Sequence, residues 1–330
     1  MNRKIVVTGA AGFIGSNLLA GLERSGYTDI VGVDDFGCET KWKNVAKRCL
    51  TEYVAIAQLQ QYLDENAGGI KAIVHLGAIS STTEADVDAI VATNYRLTLK
   101  LYAFCREHTI QFIYASSAAT YGDGANGFAD TCDFTQLSAL RPLNAYGWSK
   151  HQTDLWIARR GGFKGTAGQV AGLKFFNVFG PNEYHKGGQK SVINTFFEQV
   201  TANKEINLFK SNHPDLRDGE QTRDFVYVDD CVNVILWLLA HPEVSGLYNV
   251  GTGTASTFNQ IARAVARAAG EDCRVNYIPM PENVRNQYQN HTCADLTRLR
   301  AAGYTKAMTP TEDGIRDYVT NYLTKQDKYK

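Results

Sequence analysis

Short apolar runs recur along the chain at Lys4–Thr8, Asp29–Asp34, Ala72–Leu76, Gln111–Ser116 and Gly172–Phe176, each rich in β-branched or aromatic residues. Between them, residues 86–107 and 145–160 carry apolar positions three and four apart, the spacing of a helix with one buried face. Strands that alternate with helices predict a parallel, doubly wound α/β sheet. After Pro181 the pattern changes to a glycine-rich loop, a helix near Ser191–Ala202, a polar stretch from Ser211 to Thr222, and the apolar run Phe225-Val226-Tyr227-Val228. Asp229 is placed to cap a helix running to Leu239, and Leu247–Val250 reads as a buried strand returning to the sheet. Thr309–Leu323 reads as a closing helix, with Asp327–Lys330 frayed beyond it.

The first strand runs into Gly9-Ala10-Ala11-Gly12-Phe13-Ile14-Gly15, and an apolar stretch with helical spacing follows. Strand, glycine turn and helix in that order suit a dinucleotide. Without a Cβ, Gly9 turns tightly, Gly12 lets the backbone approach a pyrophosphate, and Gly15 allows close packing, while the helix tip presents free N–H groups to the phosphates. Tight packing alone also explains many such triplets. Asp34 ends the second strand about 20 residues on, where an acid accepts hydrogen bonds from the adenosine ribose hydroxyls; the plainer reading is a turn aspartate. A lone acid favours NAD, whereas Lys41 and Lys43 offset its charge and suit the 2′-phosphate of NADP, so the choice stays open. The third strand ends in Leu76-Gly77-Ala78-Ile79-Ser80-Ser81-Thr82-Thr83, where small residues permit close approach, unless this is an ordinary Ser/Thr loop. Asn94 lies in the next helical pattern, either as a surface amide or, by its register, as a cofactor contact.

Tyr146 and Lys150 stand one helical turn apart and share a face, downstream of Ser117. An ammonium beside a phenol lowers the phenol's pKa, which lets Tyr146 take a proton from a substrate alcohol while hydride leaves for nicotinamide. Ser117 is placed to hydrogen-bond the reacting oxygen, and Lys150 to hold the nicotinamide ribose. Alone, such a pair is more often a surface helical contact; the glycine turn upstream shifts the balance.

Composition narrows the class. The 34 basic and 34 acidic residues cancel, so no overall field recruits nucleic acid or anionic lipid, and a small-molecule ligand is the better expectation. The seven cysteines, at 38, 49, 105, 132, 231, 273 and 293, form no CxxC pair and no metal-like spacing with histidine, and read as reduced, mostly buried thiols. No charged-then-apolar leader and no apolar run of membrane-spanning length is seen, so a cytoplasmic location is expected. At 330 residues the chain suits a Rossmann-type sheet with a smaller companion. Residues 1–176 are expected to form mainly the dinucleotide-binding domain, with segments near 224–253 returning to it, and 177–330 mainly an interleaved α/β substrate-binding domain.

With these motifs the chain resembles the extended short-chain dehydrogenase/reductase family, and within it the branch of ADP-heptose 6-epimerases. The strings that carry the likeness are GAAGFIGSN at 9–17, SSTTE at 80–84, YASSAATYG at 114–122 and PLNAYGWSK at 142–150. KFFNVFGPNEYHKG at 174–187, RDFVYVDD at 223–230, YNVGTG at 248–253 and ADLTRLRAAGY at 294–304 extend it over nearly the whole chain. The resemblance implies an isomerase that inverts C6 of ADP-D-glycero-D-manno-heptose through a transient 6-ketone, for the lipopolysaccharide inner core, with a tightly held and recycled NADP. It places the cofactor against Gly9, Gly12, Phe13, Ile14, Gly15, Asp34, Asp35, Lys41, Leu76, Gly77, Ala78, Ile79, Ser80, Asn94, Lys150 and Val178. It makes Tyr146 and Lys186 the two acid/base groups, with Ser117 and Lys150, although by its residue type alone Lys186 is a solvated loop lysine. Substrate contacts carry over to Ser117, Asn177, Lys186, Gly188, Phe209, Lys210, Arg223 and Tyr288. For Arg223 a guanidinium suits a diphosphate, against an ion pair with Asp224 or Asp218. The family also implies a homo-oligomer, a pentamer in many members. Leu76 and Ile79 replace an acid and a cysteine of the family pattern, and the second lysine expected near a 2′-phosphate is not in its place between Val45 and Ile56.

Two enzymatic rivals share the scaffold. A 4,6-dehydratase needs an acid beside the Ser/Thr, where Ala118 and Ala119 stand. A 4-epimerase of UDP-hexoses shares Ser117, Tyr146 and Lys150 but uses no second base, so Lys186 separates it. A non-catalytic dinucleotide sensor would keep the glycine turn and lose the tyrosine and lysine.

Overall fold

A computed structural model describes residues 4–37, 40–165, 168–285 and 288–330. Its first half is β1 (Lys4–Thr8), α1 (Phe13–Arg24), β2 (Ile30–Val33), β3 (Glu52–Val54), α2 (Leu59–Asn66), β4 (Ile70–His75), α3 (Val87–Ile90), α4 (Leu97–Glu107), β5 (Gln111–Ser117), α5 (Phe134–Ser138), α6 (Ala145–Arg159) and β6 (Val170–Phe175). Then come β7 (Asn177–Phe179), α7 (Val192–Asn203), β8 (Glu205–Phe209), β9 (Thr222–Arg223), β10 (Phe225–Tyr227), α8 (Val228–Ala240) and β11 (Gly246–Val250). The chain closes with β12 (Ser256–Thr257), α9 (Phe258–Ala269), β13 (Arg274–Ile278), α10 (Glu282–Arg285), α11 (Thr297–Ala301) and α12 (Thr311–Tyr318).

Seven strands form one parallel sheet in the order β11-β6-β5-β4-β1-β2-β3, so the expected strands, Leu247–Val250 included, all join it. Both faces are covered, which is why the strands read as continuous apolar runs. Alternate residues feed two separate cores: Val6, Ile73, Phe112 and Tyr114 pack on one side, Ile5, Val7, Val74 and Ile113 on the other with α1 and α8. On the second side the helices nearly touch, since a Cβ on Gly21 of α1 would lie 2.4 Å from Val232 of α8. A third core, built on Phe179, Ile193, Phe196, Val265, Ile315 and Tyr318, unites α7, α9 and α12 beyond the sheet. Connections leave β1 toward β2 on one side and β4 on the other, which opens a crevice at the strands' C-terminal ends.

Four local expectations need correction. The helix predicted over 86–107 contains a π-helical segment at 91–96, where one extra residue per turn turns the buried Asn94 inward. Asp229 does not cap α8; Tyr227 holds the N-cap position and Asp229 sits in the first turn. The C-terminal residues are docked, not frayed: Lys330 pairs with Asp229, and its backbone N–H donates to Asn182 Oδ1 at 3.0 Å. The thiols are not mostly buried, for only Cys105 and Cys231 are enclosed while Cys49 is exposed and Cys132, Cys273 and Cys293 are intermediate; Cys38 lies outside the described residues. No described helix is long and apolar enough to cross a membrane.

Under the C-terminal end of β5 lies an ion pair with no exposure on either side chain, Lys174 of β6 and Asp154 of α6, at 2.7 Å. Asp154 also accepts from Tyr114 Oη at 2.8 Å and Ser116 Oγ at 2.7 Å, and Lys174 donates to Thr120 Oγ1 at 2.7 Å. The Lys174 ammonium lies 4.8 Å from the Tyr121 ring centre. Lys174→Met leaves a buried carboxylate without its cation, so a loss of about 3–5 kcal/mol is expected in urea unfolding. A loss below about 1 kcal/mol would show that the pair does not hold this corner together.

Candidate functional site

The crevice is a cleft of about 850 Å³ walled by the ends of β1, β2, β4, β5 and β6, the turn at 184–189, and Phe225 and Phe258. At its floor Gly9 adopts φ +69°, and a Cβ there would stand 2.6 Å from the Gly77 backbone nitrogen. A Cβ on Gly15 would fall 2.0 Å from the Gly9 carbonyl oxygen, so Gly15 packs on the turn itself. Gly12 has only that oxygen near its missing Cβ, at 3.0 Å, and lines the cleft with Phe13, Ile14 and Gly15. It brings no capping side chain to α1. The first-turn N–H groups therefore remain available to an anion, with the positive end of the helix dipole behind them.

Asp34 stands at the end of β2, 6 % exposed. Its Oδ2 accepts from Ala11 N at 3.0 Å, and its Oδ1 from Asp35 N at 2.8 Å and Lys41 Nζ at 2.7 Å. A carboxylate offers about four acceptor positions, so little capacity remains for a ribose. Phe36 stacks on Tyr53 with ring centres 4.8 Å apart and forms part of the same wall, a flat apolar surface absent from the expectation. Its sequence signal was an aromatic two residues past the strand-end acid.

Leu76, Gly77, Ala78, Ile79 and Ser80 line the cleft, as do Asp35, Lys41, Asn177 and Val178. Asn94 is not among the residues that line it. Its side chain accepts from Ile79 N at 2.8 Å and donates to Ile79 O at 2.9 Å and Ser149 Oγ at 3.1 Å, bracing the loop from behind. His75, sealed between Thr8 and Thr98 at 2.6 and 2.9 Å, is lowered to about 3 by burial and by the Lys150 charge, and is neutral at pH 7.

Ser117, Tyr146 and Lys150 meet at the centre of the cleft wall. Asn144 caps α6 by accepting from Gly147 N at 2.8 Å. A Cβ on Gly147 would lie 2.7 Å from the Ala119 carbonyl oxygen, a fit that presses the tip of α6 onto the turn after Ser117. The expected electrostatics are reversed: burial raises the Tyr146 phenol above its ordinary value, and the Ser117 hydrogen bond pulls it back only in part. Lys150, 2 % exposed, is itself lowered to about 8 by burial, with Asp154 opposing the shift, so it is a weaker cation than a surface lysine.

Lys186 enters the cleft from the turn at 184–189, its ammonium 5.8 Å from the Phe13 ring centre. Burial lowers its pKa, opposed by the nearby Glu183 carboxylate. Glu183 is 1 % exposed and held by Ser191 N at 2.5 Å and Ser191 Oγ at 2.7 Å. Neither Glu183 nor Ser191 was singled out in the sequence, where a lone Glu-Tyr after Gly-Pro-Asn carries no chemical signal.

Four expected substrate contacts lie off the cleft wall together with Gly188, which is exposed. Phe209 and Lys210 end β8, where Lys210 N donates to Ile278 O at 2.8 Å of the neighbouring β13. Arg223 is buried behind Phe258, its guanidinium 4.9 Å from the Tyr288 ring centre and 5.9 Å from that of Phe258. It enters no ion pair among the described residues. Asp224 is taken by Thr252, Gly253 and Ala294, and Asp218 accepts from Ser211 N. Among the described residues no group of three or more His, Cys, Asp or Glu side chains is placed to hold a metal.

A glycine cradle at a helix tip, a strand-end acid and a Ser/Tyr/Lys cluster fit a nicotinamide dinucleotide. The family model for the NAD dependent epimerase/dehydratase family matches residues 5–251. The chain belongs to that family. A curated family member named ADP-L-glycero-D-manno-heptose-6-epimerase, from Nitratidesulfovibrio vulgaris strain Hildenborough, is 46 % identical over 329 residues, covering 98 % of this chain and 99 % of the relative. The solved Helicobacter pylori ADP-L-glycero-D-manno-heptose-6-epimerase superposes with a TM-score of 0.79 at 28 % identity, over 97 % of this chain and 96 % of its own. The Thermus thermophilus UDP-glucose 4-epimerase, solved as a complex with NAD, gives a TM-score of 0.75 at 25 % identity, over 96 % and 97 %. A nicotinamide dinucleotide is thus the cofactor class of this family.

Lys150 yields a stability prediction for the cofactor-stripped protein. Its pKa falls from 10.5 to about 8 on folding, so below pH 8 the folded state carries the full cost of a buried charge. Between pH 8 and 10.5 the folded form sheds its proton while the unfolded form keeps it, and the cost fades. Lys150→Met is therefore expected to be more stable than wild type at pH 7, by up to about 3 kcal/mol, with the gap closing toward pH 10. Parallel thermal melts at pH 7 and 9.5 check this; an equal gap at both would contradict it.

Proposed function

We propose that this chain inverts carbon 6 of ADP-D-glycero-D-manno-heptose to give ADP-L-glycero-D-manno-heptose, oxidising C6 to a ketone and reducing it again on the other face. The observation that carries the reading is that Lys186 faces the same cleft as Ser117, Tyr146 and Lys150 but arrives on a different element. Inversion without rotation of the substrate needs a proton-handling group on each side of the reacting carbon. The curated relative's name agrees with it. Ala118 and Ala119 leave no acid for dehydration beside Ser117.

The nicotinamide, when bound, supplies a reversible hydride acceptor that is cationic once oxidised. The chain's own residues do the rest. Gly12, Phe13, Ile14 and Gly15 present backbone to the pyrophosphate, Lys150 holds the nicotinamide ribose, and Ser117 hydrogen-bonds the reacting oxygen. Tyr146 handles the C6 hydroxyl proton on one face and Lys186 on the other; a lysine whose pKa burial has lowered exchanges protons nearer neutrality than an exposed one. Asn177 contacts the sugar, and Arg223, behind Phe258 and with no carboxylate partner among the described residues, is the cation assigned to the diphosphate. In this reading residues 1–176 serve mainly the cofactor and 177–330 mainly the sugar nucleotide.

The cofactor is proposed to be NADP. The Lys41 ammonium sits on Asp34 and on the Asp35 carbonyl at 2.6 Å, where it shields the acid that would otherwise repel a 2′-phosphate. Acid extraction of purified protein is expected to release NADP, and Lys41→Ala to shift retention toward NAD; wild type that releases only NAD would reverse the assignment.

Incubation with ADP-D-glycero-D-manno-heptose, followed by NMR at C6, tests the activity. Tyr146→Phe and Lys186→Met are each expected to slow inversion by roughly 10²–10⁴-fold while retaining cofactor. Wild-type turnover in either variant removes that residue's role, and a change at C4 in place of C6 removes the reading.

A further inference from the structure

We propose that residues 327–330 act as a strap that positions Lys186, by holding the turn that carries it against the glycine loop. The inference rests on the reading of Lys186 as the second acid/base group.

Lys186 has little to orient it directly. Its ammonium is in no ion pair among the described residues, and its ring neighbour Phe13 is 5.8 Å away. On its C-terminal side Gly187, at φ +55°, and Gly188 face open space where a Cβ would stand, so side-chain packing gives no support there beyond the backbone bond from Lys190 N to the Gly187 carbonyl at 3.3 Å. Constraint has to come from the N-terminal side, residues 182–185. There the tail closes over the turn. Tyr184 Oη donates to the Lys328 carbonyl at 2.8 Å, and the Lys328 ammonium lies 4.4 Å from the Tyr184 ring centre. Tyr329 meets the same ring edge-on at 5.2 Å. Lys330 N donates to Asn182 Oδ1 at 3.0 Å, and its ammonium pairs with Asp229 at the start of α8.

Asn182 is one of three non-glycine residues with positive φ, at +73°, among the described residues. Asparagine tolerates that left-handed conformation better than other L residues with a Cβ, and here its side chain fixes it. Its side chain is gripped on both sides: Oδ1 by the tail, and Nδ2 donating to Ser16 Oγ of α1 at 3.0 Å. Asn44 completes the knot, bonded to His185 Nδ1 at 3.0 Å and donating to the Ala11 carbonyl of the glycine loop at 2.8 Å. The tail's far edge is fixed by Lys47, which binds Asp327 at 2.8 Å and the Tyr329 carbonyl at 2.5 Å. The strap thus ties the Lys186 turn to the two segments that flank the cofactor cleft.

The test compares the full chain, a chain ending at Gln326, and Tyr184→Phe, which removes the hydroxyl bond to Lys328 together with the hydroxyl contact to Tyr318 and leaves the ring in place. C6 inversion is followed by NMR, and acetylation of Lys186 is followed against pH by mass spectrometry. Truncation is expected to lower kcat about tenfold at unchanged KM and cofactor content, and to move the Lys186 labelling profile to higher pH as the amine swings into solvent. Tyr184→Phe is expected to move both in the same direction by a smaller factor. Unchanged kcat and labelling in the truncated chain overturn the strap, and so does a fall in kcat with the labelling profile unmoved. If the truncated chain does not fold, Tyr184→Phe decides on the same two readouts. Wild-type turnover by Lys186→Met overturns the catalytic reading alone, because the labelling profile still reports whether the tail positions the amine.

Discussion

The Lys174–Asp154 pair is the constraint on which the cleft wall of Ser117, Tyr146 and Lys150 depends. A charge pair without solvent exposure is held only if both partners are satisfied, and here the carboxylate takes Tyr114, Ser116 and the ammonium while the ammonium takes Thr120 as well. Those residues belong to β5, the turn beyond it, β6 and α6. Shifting any one of the four would strand a buried charge, so their relative positions are fixed far more tightly than apolar packing alone would fix them. Ser117 follows Ser116 directly, and Lys150 and Tyr146 lie one and two helical turns before Asp154 on α6. The pair therefore sets the distance between the hydroxyl, the phenol and the ammonium without touching the cleft.

A second constraint acts at the other wall. Gly9 and Gly77 approach so closely that a single Cβ would collide with backbone, which forces the ends of β1 and β4 together under the tip of α1. The two constraints are chemically opposite, one a satisfied charge and the other an absence of side chain, and each fixes one bank of the cleft. The tail and the Asn182 knot then fix the third, where no sheet register reaches.

Most of the sheet was legible because its strands are buried on both faces and its glycine turn is a backbone requirement written in residue type. Ser117, Tyr146 and Lys150 were legible because a helix converts a four-residue spacing into a shared face. Lys186 was legible only through resemblance, since nothing in His-Lys-Gly tells a solvated lysine from one turned inward. The bracing of the Ile79 loop by Asn94 was not legible, because Asn94 lies in a π-helical segment and hydrophobic spacing does not report an added residue per turn. The docked tail was misread for a different reason: Asp327–Lys330 is polar and looks solvated, yet each residue finds its partner on a segment more than 90 positions away. Long-range polar contacts leave no local pattern.

In the proposed reaction, burial divides one chemistry into two tasks between the lysines of the cleft. Lys150 loses solvent on a rigid helix with Asp154 one turn on, so its charge is both weakened and held, which suits a group that binds and orients. Lys186 loses solvent on a short turn that ends in two glycines without side-chain packing, with Glu183 as its opposing charge, which suits a group that exchanges a proton. A reaction that removes hydride from one face and returns it to the other cannot place both proton-handling groups on one helix face, because a single face meets the reacting carbon from a single side. The second group has to come from an element outside the sheet's register. Here that element is a turn whose position is set by asparagines and by the end of the chain, and its geometry is the part of the site least protected by the core.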